Sequence, residues 1–155
     1  MDQALEVVAL LLFALLWVFS FVAHAALPDI IPTHFNMEGM VDGYGSKLHI
    51  LSMAGVGTFI YLLLTIVNRY PHKFNYIRDI TPENAANQYR RMTKLMRGIK
   101  VLLLTIFFVI LNMMTRSARH HHIQTNVLLF IAITAVVAVP VFIAFYAGKA
   151  DKHTA

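Results

Sequence analysis

The sequence predicts an all-α, polytopic membrane protein with four transmembrane helices, a structured outer loop and a basic amphipathic cytoplasmic helix. Three observations carry that prediction. Of the 155 residues, 58% are hydrophobic and 14% are charged, with a mean hydropathy of +0.63, whereas soluble domains average roughly 45–50% and about 25%. The apolar residues are gathered into long runs, and the 13 Lys and Arg residues fall almost entirely between them. This composition excludes a disordered chain and an ordinary water-soluble enzyme, and the length fits one membrane domain, 1–155. Cysteine is absent, which removes disulfides, thiolate metal sites and cysteine nucleophiles together.

A bilayer core of roughly 30 Å calls for about 20 apolar residues per helix. The runs 4–26, 48–67, 99–114 and 127–147 are the four candidates, the third being short but continuing a helical pattern that begins upstream. Ala23, His24 and Ala25 spell an A-x-A sequence like a signal-peptidase site. The region before it argues for a retained helix: it carries Asp2 and Glu6, no Lys or Arg, and an apolar run longer than the roughly 7–15 residues of a signal peptide.

Orientation follows from the cationic bias of the loops. Arg69, Lys73, Arg78, Arg90, Arg91, Lys94 and Arg97 lie between the second and third runs and are counted together with Lys100 at the start of the third, and Lys149 and Lys152 follow the fourth; the other two loops hold only Lys47, Arg116 and Arg119. Both termini and the segment 68–98 are therefore expected in the cytoplasm, the loop 27–47 outside, and the whole in a bacterial inner membrane. Within the segment, Thr81 and Pro82 signal a helix start, and Glu83 suits the positive end of its dipole. Ala85, Tyr89, Met92, Met96 and Ile99 make one apolar stripe, with Gly98 as a candidate bend. Arg90, Arg91, Lys94 and Arg97 fill the remaining faces, as a surface for anionic lipid or for a soluble cytoplasmic partner. One basic helix without a recognition motif does not indicate direct nucleic-acid binding.

The loop LPDIIPTHFNMEGMVDGYGSK, 27–47, is dense in conformationally restricted residues. Pro28 and Pro32 favour extended backbone, Asp42-Gly43 is a turn signal, and Ser46 stands where an N-cap of the second run is needed. Its pattern L-P-D-x-I-P-x-H-F-N-x-x-G-x-x-D-G-Y-G-S-K resembles the signature loop of a bacterial membrane-protein family that includes the SdpI immunity proteins, whose shared N-terminal domain is of unknown function. The resemblance rests on Pro32, His34, Asn36, Gly39, Asp42, Gly45, Ser46 and Lys47. It implies two spans joined by this outer loop, protection from a toxic peptide, and retention of a repressor at the membrane; SdpI-type proteins carry more helices than the four predicted here. The loop residues Pro32, His34, Asn36, Gly39, Asp42 and Lys47 are accordingly the candidate ligand or partner site.

The predicted topology also places six of the 8 histidines on the outer side: His24, His34, His49 and His120 to His122. Imidazole is the commonest metal-ligating side chain, so His34, Asp42, His24 and His49 are a candidate set for zinc or another divalent metal. The plainer reading has His24 and His49 as interfacial groups and His34 ordering its own loop through a carbonyl or Asp42. Inside the runs, Glu6 is read as the one ionisable group, with Lys100 assigned to the cytoplasmic side; that argues against an ion-coupled transporter. Ala54, Gly55, Gly57 and Thr58 would allow close helix approach, Pro140 would kink the fourth run, and Asn112 would bond between helices. No hydrolase or nucleotide-binding motif is present. Three classes stay open: an immunity or signalling protein meeting a peptide or toxin outside, a metal-dependent membrane protein or hydrolase, and a structural assembly subunit, with a homo-oligomer as a further expectation.

Overall fold

A computed structural model describes residues 2–36, 38, 40–76 and 79–119. The fourth apolar run with Pro140, the triplet His120 to His122, and Gly39, Arg78, Lys149 and Lys152 lie outside the described residues. The order is α1 (Asp2–Ala26), β1 (Ile30–Phe35), β2 (Val41–Ser46), α2 (Leu48–Val67), a 3-10 turn (Pro71–Lys73) and α3 (Ala85–Arg119). The three α-helices are each long and apolar enough to cross a membrane.

Their packing follows from small and apolar residues at helical spacing. On α1 the buried positions are Ala9, Leu16, Ser20 and Ala23; on α2 they are Ile50, Ala54 and Gly57; on α3 they include Lys100, Leu104, Leu111 and Met114. Gly57 matters because a Cβ there would sit 2.7 Å from Cδ2 of Leu16, so its absence lets α1 and α2 approach closely. Beside that contact, Trp17 Nε1 donates to Thr58 Oγ1 at 2.9 Å, and Phe13 stacks on Tyr61 with centroids 4.8 Å apart. Gly55, expected in the same interface, faces open space. The outward faces are strongly apolar: Val7, Leu11, Val18, Phe21 and Val22 of α1, and Phe59, Leu62 and Ile66 of α2, are all exposed. That much contiguous apolar surface is what a helix presents to lipid.

Two expectations change. The helix α3 passes through Gly98 without a break and joins the basic segment to the third apolar run in 35 residues, about 52 Å at 1.5 Å per residue. Gly98 has no neighbour within 4 Å that would force a bend. The start at Thr81 and Pro82 is a turn leading into the helix: Ala85 N–H donates to Thr81 O at 2.9 Å, and Gln88 N–H to Asn84 O at 3.0 Å. Asn84 Oδ1 accepts the Thr81 N–H at 3.1 Å, so residue 84 reaches back as the third residue of a capping box does. The Thr81 hydroxyl and Glu83's own backbone N–H hold the Glu83 carboxyl below the usual carboxylate range.

The second change is in the loop 27–47. The described residues are mostly helical, but this loop is an antiparallel β-hairpin rather than irregular chain, so all-α is corrected to helices plus one two-stranded sheet. Pairing runs Ile30 with Ser46, Ile31 with Gly45, Pro32 with Tyr44, His34 with Gly43 and Phe35 with Val41, with irregularities on both sides of His34. The Asp42-Gly43 pair is not the turn. It lies inside β2, and reversal occurs between Asn36 and Met40, where Asn36 N–H donates to Met40 O at 2.9 Å and Asn36 Oδ1 accepts the Met40 N–H at 2.8 Å. Gly43 is needed for another reason: a Cβ would meet Cβ of His34 at 2.9 Å.

Candidate functional site

The hairpin is fixed to the helix ends by both apolar and polar contacts. Ile31 is fully buried and Pro32 is buried beside it, and β1 packs against α3. At its open end, Lys47 N–H donates to Asp29 O at 2.9 Å, and Lys47 Nζ lies 3.1 Å from Asp29 Oδ1 and 3.4 Å from Leu27 O. Lys47 is therefore a clamp between the exit of α1 and the entry of α2. Ser46 Oγ accepts the Leu48 N–H at 3.3 Å, capping α2 from one residue before the position Lys47 occupies.

On the exposed side, His34 Nδ1 bonds the Asp42 carboxylate across the two strands. The pair is open to solvent, with side chains 73% and 42% exposed. His49 Nδ1–H donates to Ser46 O at 2.8 Å, which leaves Nε2 as the acceptor of the neutral ring. His24 stands apart, near the end of α1, with its Nε2 buried and without a hydrogen bond among the described residues. Of the four candidate metal residues the hairpin brings His34 and Asp42 together. Among the described residues, no three His, Asp or Glu side chains gather as a metal site. Elsewhere on the hairpin Ile30, Met40 and Tyr44 are 64%, 60% and 65% exposed, so its solvent-exposed side chains include apolar groups as well as the ionisable pair. Asn112, expected between helices, lines a cavity of about 440 Å³ with Phe19, Val22, Thr115 and Arg119.

At the opposite end lies a cluster that sequence reasoning missed. Lys100 is fully buried, and its Nζ donates to Glu6 Oε1 at 2.7 Å and Thr65 Oγ1 at 2.8 Å while lying 4.8 Å from the centre of the Tyr61 ring. Arg97 Nε is 3.5 Å from the other Glu6 oxygen. This corrects the reading that Glu6 is the only ionisable group within the spans. A lysine in an apolar helix face needs a counter-charge, and Glu6 supplies it from α1 at the same depth. The signal was present: Lys100 falls inside the run 99–114, and Glu6 inside 4–26. Arg90 and Arg91 are exposed and Lys94 is half-buried, further along the same helix. Tyr76 packs on Tyr89 and donates to Pro71 O at 2.8 Å, which seats the connector against the start of α3; burial pushes its phenol up from the ordinary value.

Comparison with known proteins adds one domain and one relative. Residues 11–58 match the domain of unknown function DUF1648. The DUF1648 stretch begins inside α1, contains the whole hairpin and ends halfway along α2, so it coincides with the Trp17, Thr58 and Gly57 contact as well as the loop motif. It is compatible with the N-terminal domain implied by the loop resemblance. An uncharacterized protein of Archaeoglobus fulgidus is 26% identical over 155 residues, an alignment covering 92% of this chain and 85% of the relative. No solved structure matches the chain significantly.

Proposed function

We propose that the chain is an SdpI-like multi-pass protein of the cytoplasmic membrane that meets a peptide with its hairpin outside and signals or protects through α3. The observation that carries this reading is the reach of α3: it packs against β1 at one end and carries Arg90, Arg91 and Lys94 at the other. Its length of about 52 Å exceeds the roughly 30 Å hydrocarbon core, so one continuous rod connects an outer surface to a cytoplasmic basic face. A displacement imposed on the hairpin by a ligand would be felt at that face without passing through a loop.

The hairpin supports the recognition role. Its backbone is held by Asn36, Lys47 and the His34–Asp42 pair, so a ligand meets a preformed surface and binding orders little new structure. Exposed Ile30, Met40 and Tyr44 supply apolar contact, and the dyad supplies a polar one. The basic end faces the cytoplasm by the cationic bias of the connector and the start of α3, where Arg90, Arg91 and Lys94 suit an acidic soluble partner. The test is survival of cells expressing the chain under challenge with a panel of amphipathic membrane-active peptides. Protection by the wild type against at least one peptide, abolished in Ile30→Ala with Tyr44→Ala at equal membrane abundance, supports the reading. Equal survival with and without the chain across the panel overturns it.

A further inference from the structure

The polar cluster at the basic end is unbalanced in charge. Among the described side chains, two cations, Lys100 and Arg97, share the single carboxylate of Glu6. Lys100 takes the better geometry, with hydrogen bonds at 2.7 and 2.8 Å and only 1% of its side chain exposed. Arg97 is left with a 3.5 Å ion pair, and its buried Nε has no hydrogen-bond partner. That Nε, at the border of an apolar bundle, has lost hydration without gaining a hydrogen bond. The Arg97 side chain keeps 24% exposure, so part of it is reachable from outside. Lys94, three residues earlier on the same helix, lies beside it at the i, i+3 spacing.

We propose that Arg97, flanked by Lys94, binds the phosphate of an anionic phospholipid, which completes the charge of the Glu6–Lys100–Arg97 cluster and anchors α3 at the membrane face. The chemistry fits: a guanidinium takes a phosphate through two parallel N–H donors, and basic sites between membrane helices are where anionic headgroups settle. The α1 and α2 faces nearby are apolar and exposed, which gives the acyl chains a surface while the headgroup meets Arg97. Neither the hairpin's ligand nor the cytoplasmic partner enters this inference.

The experiment reconstitutes the full chain in nanodiscs of phosphatidylcholine mixed with phosphatidylglycerol, and measures by mass spectrometry the lipids retained on detergent extraction. Wild-type protein is expected to enrich phosphatidylglycerol about fivefold over the bulk ratio, the effect of roughly one well-placed basic contact. Arg97→Gln should fall to near parity, Arg97→Lys should keep only part of the enrichment because it retains the charge and loses the two parallel donors, and Arg90→Gln, further from the cluster, should change it little. Unchanged Trp17 emission shows that the variants keep their helix packing. Equal losses in Arg97→Gln and Arg90→Gln would mean diffuse attraction and overturn the proposal, as would parity in the wild type. Dissolved phosphate that displaces the enriched lipid at millimolar concentration would assign the site to a free anion and overturn the lipid assignment.

Discussion

Replacing Glu6 by Gln removes one charge from a cluster that joins all three helices, and its cost can be worked from the contacts. Lys100 Nζ would keep Thr65 at 2.8 Å and the Tyr61 ring at 4.8 Å but lose its counter-ion at 2.7 Å. Removing one partner of a fully buried pair costs about 3–5 kcal/mol. Two features lower that figure: Glu6 is 35% exposed, so water screens the pair, and the Gln carbonyl still accepts a hydrogen bond. We expect about 2 kcal/mol. Lys100→Met, which leaves Glu6 with Arg97 and water, should cost under about 1 kcal/mol, and the double variant should stay within about 1 kcal/mol of wild type, because an apolar replacement of a buried pair is often neutral. The coupling in the cycle is then about 2 kcal/mol. Unfolding by dodecyl sulfate in mixed micelles, followed by emission of the single tryptophan, reads all four proteins. Glu6→Gln indistinguishable from wild type, or a double variant as damaged as the sum of the singles, would refute the assignment of Glu6 as the counter-charge.

The remaining expectations concern packing, the hairpin and pH. Gly57→Leu should destabilise by about 2 kcal/mol through overpacking against Leu16, whereas Gly55→Leu, with nothing within 4 Å, should be neutral or slightly stabilising through helix propensity; the same micelle titration compares them, and equal effects would contradict the packing described. Asp42→Ala removes the exposed hydrogen bond to His34, worth about 0.5–1 kcal/mol, so amide exchange should quicken a few-fold in 41–46 and not in α1 or α2. Because the folded-state pKa of Glu83 is lowered, its contribution is present above the ordinary carboxylate value and fades as pH falls through the folded value. Thr81→Val should move its titration upward in carboxyl-detected NMR; an unchanged midpoint would remove Thr81 as the cause.

The helices were legible because apolar runs and turn residues act locally. The second run, 48–67, coincides with Leu48–Val67, and the first extends only two residues earlier, to Asp2. The hairpin was not legible, although its residues were singled out, because Asp-Gly is a turn signal by local preference and the true reason for Gly43 is a neighbour nine residues back, His34, across the sheet. The bend at Gly98 failed on similar grounds: a glycine permits a break but does not impose one when the flanking residues favour a helix. Lys100 was counted with the cationic loop because its charge alone assigns it to water, whereas it is buried in the helix bundle. Its burial depends on Glu6, 94 positions away, and no periodicity within α3 encodes that partner.

The absence of cysteine makes the central claim directly measurable. Tyr44→Cys in the hairpin and Asn87→Cys at the start of α3 place single thiols at exposed positions at the two ends of the bundle. A membrane-impermeant maleimide applied to intact cells should label Tyr44→Cys at once and Asn87→Cys only after permeabilisation. Labelling of both from the same side, or of Asn87→Cys alone in intact cells, would contradict an outer hairpin joined by α3 to a cytoplasmic basic face.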